Sequence, residues 1–446
     1  MRRAHGALAG LLLAALSSPA RAEDDSAALR AEVARQGAAL ERLERREAER
    51  TRAESAPSAP AIVVSGYAQV DWVLHNQASQ NEINYATNTP LNQDRFTLRR
   101  GHLRFSSDQR YLSGALELDA NTTNGAQVRP INVEVGAHWP EHEDAHSPQF
   151  SLIAGLIRIP FGFEVPELDY VRPFLERSTA ARAFFPGEFD LGARFQAKYQ
   201  FLSLSVAVMN GHPIADRVFP ALAPSAKKEI VGHLGTHSEL APGVVLEVGI
   251  SADTGSGFHE GSPTSKDQLV WRDDNGDGQV GPTEIQVIAG SSATPSQAFH
   301  RFALGADARL GIQFAPNARG ELRAEIVRAS NLDRAVETAD PVGSGHDLRE
   351  FGWYLGATQE LTRWGLVGIR YDHYDPDQDA NEQRVTLVVP RDRSYGTLAL
   401  LAMLRYGEGR LSFEYDRNRN ALGRTASGAP TSLASDALTV RAQLRF

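Results

Sequence analysis

From residue 62 to the end of the chain, apolar and polar side chains alternate with a period of two, and helical periodicity is almost absent. In 64–73, Gly66, Ala68, Val70 and Trp72 alternate with Tyr67, Gln69 and Asp71. Residues 111–120 set Leu112, Gly114, Leu116 and Leu118 against Ser113, Glu117 and Asp119. The same pattern returns in 190–199, and again where Leu411, Phe413 and Tyr415 alternate with Arg410, Ser412, Glu414 and Asp416. Successive side chains of a strand point to opposite faces, so each segment is a strand with one apolar and one polar face. Further strands are predicted near 95–106, 129–138, 149–159, 200–209, 228–237, 243–252, 301–312, 320–329, 349–361, 364–374, 393–406 and 434–446, which makes sixteen.

Short turns (106–110, 141–147, 241–243, 407–409) alternate with long polar loops (75–94, 160–188, 210–226, 253–300, 330–348, 375–392, 417–433). Strands of about ten residues with this asymmetry of connections describe a transmembrane barrel, with short periplasmic turns and long external loops. In the last strand, Leu438, Val440, Ala442, Leu444 and Phe446 occupy every second position opposite Thr439, Arg441, Gln443 and Arg445. In an open sheet that row would be an aggregation-prone edge, and closure removes it. The predicted fold is all-β: a sixteen-stranded antiparallel β-barrel over 62–446.

The first 61 residues follow other rules. Arg2 and Arg3, the apolar run 7–16 and Ala20-Arg21-Ala22 form an export signal over 1–22. Its loss removes three arginines and takes the net charge from −9 to −12. Over 23–55, Leu29, Val33, Gln36, Leu40 and Leu43 mark a heptad seam, read as a periplasmic coiled coil that joins three copies. A solvated tether is the alternative. The Pro- and Ala-rich stretch 56–61 is a linker.

Composition narrows the function. The chain has no cysteine, hence no disulfide, thiolate metal site or cysteine nucleophile. The ten-residue apolar run is half of the ~20 residues a spanning helix needs. An acidic chain is a poor partner for nucleic acid. No G-x-S-x-G, H-E-x-x-H or phosphate-loop motif is present, so no enzyme is predicted. His142 and His146, four apart, are a weak metal pair.

Three segments carry a family resemblance: 96–105 (FTLRRGHLRF), 111–119 (YLSGALELD) and 155–164 (GLIRIPFGFE), together with the terminal strand. They resemble the phosphate-selective porins O and P, sixteen-stranded trimeric channels of the bacterial outer membrane. The resemblance implies a homotrimer in outer-membrane lipid, a loop folded into the pore after 155–164, and passage of small anionic or polar solutes. It also implies recognition of the strand ending in Phe446 by the barrel-assembly machinery. The coiled coil looks more like the periplasmic extension of some sugar porins. The phosphate-selective family funnels anions through lysine clusters, whereas this chain has only Lys198, Lys227, Lys228 and Lys266, so arginine has to carry the charge.

Strand parity sends Arg100, His102 and Arg104 into the lumen, with Arg158, Arg194, Lys198, Arg309, Arg370, Arg441 and Arg445. Inward arginines favour anions. Parity also turns Glu117, Asp119, Glu134, Asp190, Glu247, Asp307, Glu321, Glu325, Asp372 and Glu414 inward, which leaves a mixed-charge wall with little selectivity as the competing expectation. Loop 160–188 holds Arg172, Arg177 and Arg182 among Tyr170, Phe174, Phe184 and Phe185, guanidinium forks suited to phosphate-like oxygens. The alternatives to an anion-preferring porin are a general or sugar-type porin and a barrel-anchored surface receptor or adhesin. Separately, Asp273, Asn275, Asp277, Gly278, Gln279 and Glu284 match the twelve-residue EF-hand loop and predict Ca²⁺ in an external loop.

Overall fold

Alternation of this kind gives strands that have to bury opposite faces in different surroundings, and closing the sheet on itself does so without leaving an edge. The computed structural model describes residues 61–446 apart from 77–82, 85–88, 91, 110, 124, 140–148, 218, 220–226, 316–317, 385 and 427. The export signal, the coiled coil, most of the linker, the 141–147 turn and the His142/His146 pair lie outside the described residues.

Sixteen strands form one closed barrel. In chain order they are β1 (Val63–His75), β2 (Arg95–Asp108), β3 (Leu112–Asn121), β4 (Gln127–Trp139), β5 (Gln149–Arg158) and β6 (Phe189–Tyr199). There follow β7 (Leu202–Met209), β8 (Glu229–Ala241), β9 (Val244–His259), β10 (Gln297–Ala315) and β11 (Ala318–Ser330). The last are β12 (Arg349–Thr362), β13 (Gly365–Asp375), β14 (Tyr395–Tyr406), β15 (Gly409–Arg419) and β16 (Ala437–Arg445). Each pairs antiparallel with its sequence neighbours, and β16 closes on β1 from Tyr67↔Arg445 to His75↔Ala437. All sixteen predicted strands are present. The β9–β10 ladder runs further than predicted, from Val244↔Ile312 to His259↔Gln297, because its upper part is polar on both faces and carries no apolar alternation.

Apolar side chains such as Val70, Leu116, Val133, Ile250, Leu304, Leu322, Leu355 and Leu400 point outward and are exposed. A charge in such a band would cost roughly 2–4 kcal/mol at the midplane of a bilayer, which keeps the outward positions apolar. Stacked aromatics sit at both rims: Trp72 on Phe96 (5.5 Å) at the loop end, and Tyr111 on Trp139 (5.7 Å) and Trp364 on Tyr406 (5.5 Å) at the turn end. Apolar band and aromatic girdles together are the exterior of a membrane-spanning barrel.

Three register shifts lie at hairpin ends, after Glu239, Gln313 and Glu360, and two bulges lie within strands, where they change which side chains face the lumen. Gln69 faces Arg100 while Val70 faces Leu98, so Arg99 is an extra residue in β2. In the same way, Glu117 faces Asn132 and Leu118 faces Pro130, leaving Ile131 extra in β4. A proline lacks the N–H that a ladder needs, and a bulge is where a strand tolerates it.

The β5–β6 connection, 159–188, runs through the barrel interior, since it bonds to strands on opposite sides. Gly162 N–H donates to Ser251 on β9 (2.8 Å), and the N–H groups of Phe163 and Glu164 donate to the Glu325 carboxylate on β11 (3.3 and 3.2 Å). Thr179 Oγ1 donates to Asp372 on β13 (2.8 Å), and Leu175 N–H to Glu414 on β15 (2.9 Å). Gly162 has φ 62°, and a Cβ there would lie 2.0 Å from Glu325 Oε1, so only glycine fits this turn. The short helix α1 (Thr179–Phe184) is capped by Ser178, whose hydroxyl accepts from Ala181 N–H.

Beside α1 lies an apolar core within the barrel. Phe161, Val165, Ala180, Phe184 and Phe185 from the inserted loop pack on Ala207, Met209, Val231, Ala303, Val327, Leu332 and Tyr374. The segment 331–334 turns inward to join it: Arg334 donates to Phe184 O (2.6 Å) and pairs with Glu229, while Tyr374 Oη donates to Asp333 (2.6 Å). One side of the lumen is therefore packed solid.

Candidate functional site: the lumen path and its constriction

Open space remains on the other side, against β1–β6. An outer cavity of about 490 Å³ is lined by Arg99, Arg100, Asp119, Arg129, Asp169, Glu176, Arg182 and Glu188, among others. An inner cavity of about 510 Å³ is lined by Tyr67, Arg104, Glu117, Glu134, Arg158, Leu168, Tyr170 and Arg194. His102 belongs to both, and so marks the narrow point between them.

The loop side of that narrowing is fixed by buried charges. Asp169 lies 3.1 Å from Arg172, 2.9 Å from Arg177 and 3.5 Å from Arg100. Arg172 also donates to the carbonyls of Phe174 and Leu175 (both 3.2 Å), and Arg177 to those of Glu164 (3.0 Å) and Glu167 (2.8 Å). Glu176 receives two bonds from Arg99 (2.8 Å each) and pairs with Arg100 (3.3 Å) and Arg441 (2.8 Å). Arg441 holds Asp71 through two bonds of 2.7 Å. Removing one partner from a buried pair is costly, so these links hold the loop at a set distance from the wall.

The predicted arginines thus fall into two groups. Arg172 and Arg177 are almost wholly buried and consumed in holding the loop, whereas Arg182 is exposed to the outer cavity, with one bond to Thr179 Oγ1 (3.3 Å). Arg100 is tied to Glu176 and Asp169, and Arg104 to Glu117 (3.2 Å) and Glu134 (2.9 Å). His102 sits between Glu117 (2.7 Å) and Asp119 (3.4 Å). Arg158 donates only to Glu167 O (3.4 Å) and lies over the Phe189 ring (4.5 Å), and Arg194 donates to Arg158 O (2.9 Å). Lys198 is exposed near the turn end of β6 and lines neither cavity. On the packed side, Arg309 pairs with Glu247 (2.6 Å) and Arg370 with Glu164 (3.3 Å).

Three of the predicted lumen acids, Glu325, Asp372 and Glu414, serve as acceptors for N–H groups of the inserted loop rather than facing a solute. Parity missed Arg99, which the bulge turns inward beside Arg100, and Arg129, which the second bulge brings onto the cavity wall. The sequence reading also passed over Asp169, which pairs with the loop's Arg172 and Arg177, and Glu176, which ties the loop to Arg99, Arg100 and Arg441 of the wall. The spacing Asp169–Arg172, three apart in a turn, was the available signal.

The acidic motif forms the tip of an exposed hairpin, Gln268–Trp271 with Ile285–Ile288. Asp273 accepts from the N–H groups of Gly276 (2.7 Å), Asp277 (3.1 Å) and Gly278 (2.7 Å). Glu284 accepts from Asp274 (3.0 Å), Asn275 (3.2 Å) and Gly281 (2.7 Å), and these bonds, Gly281's foremost, hold its carboxyl below the ordinary value. Gln279 N–H donates to Asp277 (2.8 Å). Among the described residues no three acidic or histidine side chains converge on a metal-sized point.

The fold is similar to that of three solved structures. One is the outer membrane channel DcaP of Acinetobacter baumannii, with 9% identity over 87% of this chain and 98% of that one and a TM-score of 0.51. The second is an anion-selective porin from Comamonas acidovorans, with 9% identity over 87% and 100% and a TM-score of 0.51. The third is OprB of Pseudomonas putida, with 8% identity over 86% and 94% and a TM-score of 0.51. At these identities the likeness is one of fold. No protein-family model and no curated protein matches the sequence.

Proposed function

We propose that this chain is an outer-membrane porin that passes small anions, inorganic phosphate among them, along an eccentric path between β1–β6 and the inserted loop. One observation carries the reading. Arg129, Arg158, Arg182 and Arg194 line the two cavities with no carboxylate within ion-pair distance among the described residues, while the cavity acids Glu117, Asp119, Glu134, Asp169, Glu176 and Glu188 are each engaged by arginine or histidine. The guanidiniums left without a carboxylate partner are the cations a solute meets, although the chain as a whole carries −9; Asp216, also in the outer lining, is engaged by His212 (3.3 Å). One protein of this fold is described as an anion-selective porin.

The test is the reversal potential of the purified protein in a planar bilayer under a potassium chloride gradient. The reading expects an anion-selective sign, reduced several-fold in Arg158→Gln/Arg194→Gln. A cation-selective wild type refutes it.

The same proposal includes a homotrimer held partly by the coiled coil at 23–55, whose deletion should lower the trimer's resistance to heat in detergent. It includes recognition of β16 and Phe446 by the barrel-assembly machinery, and weak calcium binding at Asp273–Glu284, which rests on the spacing of ligand types alone.

A further inference from the structure

Within the anion-channel reading, and resting on it, we propose that the inner cavity favours carboxylate anions that carry an apolar body over compact, strongly hydrated anions such as phosphate. The argument begins with Leu168. It projects from the inserted loop into the inner cavity and is 40% exposed, an apolar side chain placed in a polar passage. Its neighbours hold it there. Asp169 is pinned by Arg172, Arg177 and Arg100, the N–H groups of Val171 and Arg172 donate to Leu168 O (3.1 and 3.2 Å), and Tyr170 O accepts from Gln443 and Arg410 (both 3.2 Å).

These bonds fix the backbone that carries Leu168 at the edge of the inner cavity. Tyr170 continues the surface, with the buried Tyr67 behind it (ring centroids 5.3 Å apart) and the Arg445 guanidinium over its ring (5.6 Å). The cation stands next to it: Arg158 donates to the carbonyl of Glu167, the residue before Leu168, and Arg194 is bonded to Arg158's own carbonyl. Inner cavity, unpaired guanidiniums and a rigid leucine–tyrosine surface are therefore one site.

Chemistry then sorts the anions. Phosphate keeps its water unless hydrogen-bond donors replace it on every side, and the exposed Leu168 side chain offers none. A carboxylate on a phenyl ring meets the guanidiniums with its charged end and covers the apolar surface with its ring, so burial adds to charge. The outer cavity also has Ile131, Phe189 and Ile214 in its lining, but each is less than a tenth exposed, so a solute there meets chiefly arginine and acid and both kinds are admitted alike.

Benzoate, acetate and phosphate added to one side of a bilayer carrying chloride current give the test. Benzoate should block at about tenfold lower concentration than acetate or phosphate, the equivalent of about 1.4 kcal/mol. Leu168→Asn, close in size but polar, should bring that ratio to about one, while Arg158→Gln/Arg194→Gln should weaken block by all three together. Equal block by benzoate and acetate in the wild type, or an unchanged ratio in Leu168→Asn, overturns the inference and leaves the anion reading standing if the reversal potential is anion-selective. A cation-selective channel overturns both.

Discussion

The two sides of the lumen differ as a protein core differs from a protein surface. Against β7–β13 the inserted loop packs Phe161, Phe184, Phe185 and Met209 into a dry cluster in which each is about 1% exposed. Against β1–β6 the same loop meets the wall through ion pairs, and space remains on both sides of His102. A single thirty-residue connection therefore does two jobs, filling half of the barrel and shaping the passage in the other half. Packing fixes where the loop sits. Paired charge fixes how far it stands from the β1–β6 wall.

Breaking the dry side should have the largest effect. Phe161 packs against Phe185 with tilted rings (centroids 4.9 Å apart), and Phe161→Ala should cost about 3–5 kcal/mol. Thermal unfolding in detergent should show a clear drop, with larger and noisier conductance as the loop loosens. Arg182→Gln, on the open side, should leave the unfolding temperature unchanged within error.

Next comes the joint between the sides. Glu176 neutralises Arg99, Arg100 and Arg441 while keeping 28% of its side chain exposed. Glu176→Gln should destabilise by about 3 kcal/mol, at the low end for a broken buried pair because water still reaches the site. The freed guanidiniums should move the reversal potential further toward anions. A shift toward cations would show that these arginines do not face the passage.

The smallest effect belongs to the external hairpin, which touches neither side. Glu284's depressed carboxyl contributes order to the acidic turn above the unfolded value of about 4.3, and that order is lost as pH falls through the lower folded value. Limited proteolysis between Trp271 and Ile285 should therefore speed up in acid, and millimolar calcium should slow it at neutral pH. Asp273→Ala/Glu284→Ala should remove the calcium effect without altering conductance.

The sixteen strands were legible because a membrane barrel enforces one parity along each strand, and Val70 or Leu116 cannot trade faces with Asp71 or Glu117 without cost. What parity could not show is where it is interrupted. Arg99 reads as lipid-facing by count, and only its extra place opposite Gln69 and Val70 turns it inward. Loop 160–188 was recognisable as an insertion from its aromatics and arginines, but the fate of each arginine depends on partners far away in sequence. Arg172 and Arg182 look alike in the chain. One is closed in by Asp169 and two carbonyls, and the other opens onto the outer cavity.

The central claim is that solutes pass along the β1–β6 side and not through the packed side. The chain has no cysteine, so single cysteines report on a silent background. Arg182→Cys and Arg194→Cys place thiols on the two cavities, and Ala207→Cys and Ala303→Cys place them in the dry core. With a membrane-impermeant, thiol-reactive sulfonate added during bilayer recording, the first two channels should lose current in steps and the last two should not respond. Loss of current in the Ala207 and Ala303 variants, with Arg182→Cys and Arg194→Cys unaffected, would contradict the account.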